Sequence, residues 1–170
     1  MAENTKDAVA LLKADHREVE ELFAKFEKAS DDGRKQKLAH EICRELTIHA
    51  KIEEEIFYPA CEGKVDDDLL KEAFVEHDAA KLLIAEIEAG EPSDDFYGAK
   101  VKVLKEEIEH HVEEEEKRME GLFSQARKAG VDMDSLGQQL AKRKAELMQQ
   151  ITSDGPLPEP ELSTMDKASA

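Results

Sequence analysis

Six polar side chains stand where helical spacing calls for apolar ones. The apolar stripes run Leu12, His16, Val19; Leu46, His49, Glu53, Ile56; Ala73, His77, Ala80; and Ile108, His111, Glu115, Met119. Residues three or four apart share one face of a helix. Each stripe therefore carries one imidazole into a core, and the second and fourth add a carboxylate one turn later. An ionised carboxylate buried without a partner is very costly. A shared cation is a natural partner for all six groups, and imidazoles with carboxylates suit first-row metals, iron among them. The candidate metal ligands are thus His16, His49, Glu53, His77, His111 and Glu115.

The remaining histidines serve as controls. His40 shares its face with Lys37, Arg44 and Lys51, and His110 with Glu107, Glu114 and Lys117, so both read as surface residues. Glu18, Glu20, Glu54, Glu113, Glu114 and Glu116 read as solvated charges. Tyr58 reads as a packing residue at a helix end, Cys43 as a packing residue beside a stripe, and Cys61 as a loop residue.

Five helical stretches must position these groups. They run over about Thr5–Ala29, Arg34–Phe57, Asp67–Ala89, Asp94–Lys128 and Met133–Ile151. Ser30-Asp31-Asp32-Gly33 ends the first, Pro59 and Gly63 close the second, and Gly90-Glu91-Pro92 stops the third, with Ser93 placed to cap the fourth. Asp132 or Asp134 caps the fifth. Short turns between similar lengths predict an all-α, up-down-up-down four-helix bundle with an additional C-terminal helix. His16 lies about fifteen residues before the first turn and His49 about seventeen after it, which agrees within roughly one helical turn. The third turn fits less well, and a longer loop around Pro92–Phe96 would absorb the offset. The expected organisation is a bundle over 1–130, a helix over 131–152 that packs on the bundle or on a partner, and a disordered tail over 153–170 rich in Pro and polar residues.

The sequence also repeats itself. The segment 47–57 aligns with 109–119, pairing His49 and Glu53 with His111 and Glu115, and Phe57 with Met119. Asp15-His16-Arg17-Glu18, His49-Ala50-Lys51-Ile52-Glu53 before Phe57-Tyr58-Pro59, Glu76-His77, and His111-Val112-Glu113-Glu114-Glu115 together resemble the hemerythrin-like, HHE cation-binding domain. The resemblance spans about residues 5–125. It implies two iron ions in a non-haem, oxo- or hydroxo-bridged pair, with Glu53 and Glu115 bridging. His16 and His49 would hold one iron and His77 and His111 the other. Oxygen-carrying hemerythrins have an HxxxH on the third helix, whereas here Ala73 stands four residues before His77. Such an iron would be more open. Met119-Glu120-Gly121 also replaces a Phe-Pro ending common in the family.

The resemblance implies a module that binds or responds to O2, NO, peroxide or iron, with a small diatomic or peroxo ligand. The alternatives are a di-iron, catalase-like enzyme that decomposes peroxide, and a bundle whose metals, zinc for example, are structural. The net charge of -17 and the lack of a basic stripe argue against nucleic acid and anionic membrane as partners. The polar N-terminus and two cysteines without CxxC spacing fit a cytoplasmic protein, as monomer or homodimer.

Overall fold

In the computed structural model, residues 6–165 are described. Helix α1 spans Ala8–Lys28, α2 Asp32–Ile52, α3 Tyr58–Cys61, α4 Asp67–Ala89, α5 Tyr97–Glu116, α6 Leu122–Lys128 and α7 Met133–Gln150. A π-helical turn, Glu53–Phe57, joins α2 to α3. Aspartate starts four of these helices. Asp7, Asp31, Asp66 and Asp132 each accept the amide of the residue three further on, at 2.8, 2.8, 2.9 and 3.0 Å. Such caps satisfy amides that the first turn leaves unpaired and contribute about 1 kcal/mol each.

The four long helices α1, α2, α4 and α5 form the antiparallel bundle, α1 packing on α2 and α5, and α4 on α2 and α5. Two apolar clusters fill it. One gathers Val9, Leu12, Ile48, Ile52, Leu70 and Leu122 with their neighbours. The other gathers Val19, Phe23, Ile42, Leu46, Ile84 and Leu104 with theirs. Each such side chain stabilises the fold by about 1.5–3 kcal/mol when fully buried. The histidine stripe positions fall between the two clusters, so a polar belt crosses the middle of a dry bundle.

The fourth expected helix is broken. It ends at Glu116, the chain turns through Lys117–Gly121, and α6 starts anew. Gly121 is required here, because a Cβ would lie 2.5 Å from the Lys117 carbonyl oxygen and 2.7 Å from that of Glu115. Ser124 Oγ and Gln125 Nε2 donate to the freed carbonyls of Arg118 and Glu120 at 2.8 and 2.6 Å. Met119 consequently leaves the stripe and is 68 % exposed, while Leu122 and Phe123 of α6 fill the core instead. Pro59 does not close the second helix. It sits in the first turn of α3, directly after the π turn, where a missing amide hydrogen is tolerated. Ser93 does not cap α5 either: its hydroxyl donates to Glu91, Asp94 accepts the Glu91 amide at 2.8 Å, and the helix begins at Tyr97. That later start brings His111 level with His77.

Helix α7 lies across α1 and α2, with Leu140 and Leu147 buried. Gly137 lets it approach closely, since a Cβ would meet the Lys6 carbonyl oxygen at 2.4 Å. This packing covers part of the face expected to be solvated. Arg44 is buried and donates to the carbonyls of Ile151 and Met148 at 2.7 and 3.1 Å, at the end of α7 where a cation is favoured. His40 is half-buried against Glu88 of α4, at 2.8 Å. Residues 153–165 form no helix or strand, and residues 156–163 run along the α2 and α4 side of the bundle. The end of the expected tail, 166–170, lies outside the described residues. No helix among the described residues is long and apolar enough to cross a membrane.

Candidate metal centre

The structure brings all six candidate ligands together. His16, His49, Glu53 and Glu115 form one buried group and Glu53, His77 and His111 another, sharing Glu53. His16 Nε2 and His49 Nε2 lie 3.1 Å apart, as do His77 Nε2 and His111 Nε2. Glu115 turns one oxygen toward each pair, with Oε2 3.3 Å from His16 Nε2 and Oε1 3.3 Å from His111 Nε2. Glu53 Oε1 is 2.7 Å from His49 Nε2 and 3.5 Å from His77 Nε2. His110, by contrast, is exposed, with its Nε2 3.4 Å from Glu76.

The far side of each imidazole explains what the near side can do. His16 Nδ1 faces Glu116 at 3.1 Å, His49 Nδ1 faces Asp15 at 3.0 Å, and His111 Nδ1 faces Glu76 at 3.0 Å. His77 Nδ1 lies 3.5 Å from Glu54. A carboxylate can only accept, so Nδ1 carries the proton and a neutral ring presents a lone pair at Nε2. Lone pairs then face each other across 3.1 Å in both pairs, an arrangement that a cation satisfies and a hydrogen bond does not. The carboxylates agree with this. Glu53 is fully buried, and neither of its oxygens receives a hydrogen bond; nor does Glu115 Oε2. Orphaned buried oxygens of this kind are rare. The donor set thus fits a pair of metal ions.

The same crowding shifts protonation when protons alone occupy the site. Burial would lower His49, yet Glu53 and Asp15 outweigh it and push it up to about 10. Burial would likewise lower His111, yet Glu115 and Glu76 outweigh it and hold it well above the usual imidazole value. Glu115 is held well below the ordinary carboxylate range because His111 and His16 outweigh its burial. Protons and metal compete for these atoms.

Tyr58 belongs to the site as well as to the core. Its hydroxyl donates to Glu115 Oε1 at 2.7 Å and lies 3.1 Å from His77 Nε2 and 3.3 Å from His111 Nε2. The π turn is the reason. In an α-helix a residue five positions past Glu53 is rotated by about 140° from it. Here the Tyr58 amide bonds the Glu53 carbonyl, five residues back, and the wider turn returns Tyr58 to the Glu53 face. Burial, then Glu115 and Glu53, raise the Tyr58 hydroxyl well above its usual value, so it keeps its proton. Replacing Tyr58 with Phe is expected to leave the metal content unchanged and to shift the visible absorption of the loaded protein, because Glu115 loses the hydroxyl that donates to its Oε1. Absorption spectra at matched metal content check this.

The expected solvated charges divide. Glu18, Glu20 and Glu113 are exposed, but Glu54 and Glu116 hold ligand histidines from behind. Burial would raise Glu54, yet His77, with hydrogen bonds from Ser163 and Lys81, outweighs it and draws Glu54 down to about 2. Arg17 also bonds Glu116. Helix α7 reaches the site through Lys144, whose Nζ is 2.5 Å from Asp15 Oδ1 while Asp15 Oδ2 holds His49. Cys43 packs in the core, as its position suggests. Cys61 is no loop thiol: it ends α3 fully buried, and burial with Glu115 and Glu53 nearby pushes it up to about 12, so it is inert.

Comparisons with known proteins bear on the fold and the family. The crystal structure of a hemerythrin HHE cation binding domain-containing protein from Mycobacterium kansasii superposes with a TM-score of 0.73, covering 86 % of this chain and 90 % of that one at 23 % identity. It shows the same fold. A protein of Nostoc sp. described as a DNA nickase is 29 % identical over 106 residues, which are 62 % of this chain but 30 % of that protein. The chain therefore spans under a third of the length of that curated relative. The family model for the hemerythrin HHE cation binding domain matches residues 7–123. The chain belongs to the hemerythrin HHE cation-binding domain family.

Proposed function

We propose that this protein binds two iron ions in a non-haem site and uses them to bind or respond to a small molecule such as O2, NO or peroxide. The observation that supports it is the meeting of four Nε2 atoms with two carboxylates, three of whose four oxygens receive no hydrogen bond. His16 and His49 would hold one ion, His77 and His111 the other, and Glu53 and Glu115 would bridge them. Nitrogen and oxygen donors without a thiolate suit iron. Iron supplies redox chemistry and open positions for small ligands. The chain's own residues set the surroundings. Asp15, Glu54, Glu76 and Glu116 fix the four rings in orientation. Phe57 and Phe123 pack against the site's floor and exclude water, Phe123 stacking on His16 at 6.0 Å. Tyr58 holds a proton against Glu115.

A second reading, decomposition of peroxide, draws support from that proton, which stands beside the histidines where an oxygen ligand would need one. The two readings separate on adding NO or peroxide to the iron-loaded protein. Binding predicts a stable, stoichiometric spectral change. Decomposition predicts rapid loss of peroxide that disappears in the Glu115→Ala variant. A colourless protein that carries zinc and ignores both reagents would overturn both.

A further inference from the structure

A cleft of about 890 Å³ leads from the four histidines toward the surface between α2 and α4. Its inner wall is apolar, with Val19, Leu46, Ile84 and Val112. Ala50 on α2 and Ala80 on α4 also line it, and their side chains are too short to close the seam between those helices. Residues 156–163 line the cleft as well, from outside the bundle. Leu157 packs against both apolar clusters. Beyond it the chain is pinned to α4. Asp78 accepts the amides of Ser163 and Thr164 at 2.9 and 2.8 Å and the Thr164 hydroxyl at 2.5 Å. Lys81 Nζ donates to the Glu161 carbonyl at 2.8 Å, and the Ser163 hydroxyl bonds Glu54, which stands behind His77.

These bonds are unusual for a segment without helix or strand. A loop end that merely rested on the surface would leave its amides to water. Here both amides and both hydroxyls go to two carboxylates of the bundle, and Asp78 lies next to His77 in the chain. The segment also lies beyond residues 7–123, the part matched by the family model.

We propose that residues 156–164 are the specificity-determining wall of the route to the metals, latched by Asp78, and that they keep bulky anions out of it while admitting small uncharged molecules. Its size follows from the strap lying across the α2–α4 seam. Its charge selectivity follows from the carboxylates that line the cleft. Glu54, Glu55, Glu88, Glu159 and Glu161 outnumber Lys51 and Lys81, a balance that repels anions.

The proposal rests on the metal reading above only for what lies at the inner end of the route. Two full-length variants test it. Thr164→Pro removes an amide and a hydroxyl donor without touching Asp78, and Leu157→Ser loosens the apolar anchor. Neither lies near a candidate ligand in the chain. Glutamyl endopeptidase, with cleavage after Glu161 followed by mass spectrometry, reports release of the strap with or without metal. Cleavage is expected to be about tenfold faster in each variant than in the wild type, since local opening sets the rate. In the reduced, iron-loaded protein, removal of iron by bathophenanthroline disulfonate, a bulky dianion, is expected to accelerate at least about fivefold by the same opening, while NO binding stays within about twofold. Wild-type cleavage as fast as that of the variants would overturn the latch. Faster cleavage with unchanged chelation would overturn the wall. A chain that resists the protease in wild-type form alone, yet holds no iron, would support the latch while overturning the metal reading.

Discussion

Replacement of Glu115 by alanine is expected to remove both metal ions, taking the content from about two per chain to near zero. Glu115 and Glu53 are the carboxylates that face both histidine pairs: Glu115 meets His16 and His111 with separate oxygens, each at 3.3 Å. Deleting a ligand shared by two ions weakens both sites together. Even the outer residues that merely orient a ligand typically cost about 10–100-fold in metal affinity when lost, so a shared ligand costs more. Glu53→Ala is expected to do the same. His40→Ala and His110→Ala are the controls. His40 pairs with Glu88 and His110 lies exposed on α5, so both variants keep full metal. Mass spectrometry for metals on the purified variants reads all four. Full metal in the Glu115→Ala protein would remove it from its bridging role.

The second large effect is on stability. Removing metal is expected to lower the melting temperature by about 10 °C. Metal that binds only the folded chain stabilises it by about 4 kcal/mol at a thousandfold excess over Kd, and 1 kcal/mol is worth about 2–4 °C in a chain of this size. The loss falls on a belt that has no other support. Both oxygens of buried Glu53 and Oε2 of buried Glu115 receive no hydrogen bond, and four imidazoles crowd the same space. Calorimetry of the loaded and chelator-treated protein measures the difference. A melting temperature unchanged by removal would mean that protons neutralise the belt as well as metal does.

The six candidate ligands were legible in the sequence because helical periodicity is a strong signal over long stretches. Each candidate sits on an apolar stripe, and burial follows from the stripe. The groups behind them were harder to read. Asp15 and Glu76 immediately precede His16 and His77, but neighbours in a helix do not face each other. Asp15 instead reaches across to His49 and Glu76 across to His111. Glu116 and Glu54, each one residue past a bridging candidate, turn to His16 and His77. The signal was present in the internal echo. Asp15-His16 with His49, Glu53 and Glu54 repeats as Glu76-His77 with His111, Glu115 and Glu116. A twofold pattern in the ligands implied one in their supports.

Other features depend on tertiary contacts that periodicity does not carry. Tyr58 enters the site only through a π turn, which a count at 3.6 residues per turn misplaces. The break at Lys117–Gly121 rests on a close backbone approach at Gly121, and a lone glycine inside a helical pattern is a weak signal. Arg44 looked solvated because α7, which buries it, returns from a hundred residues later in the chain. The composition of 153–165 does rule out regular structure, yet it says nothing of the bonds from Ser163 and Thr164 to Asp78.

The most direct test is a crystal structure of the purified, iron-loaded protein with anomalous data collected at the iron edge. Two peaks are expected inside the bundle, one between His16 and His49 and one between His77 and His111, with Glu53 and Glu115 touching both. No peak there, or imidazoles turned away from a common centre, would contradict the account.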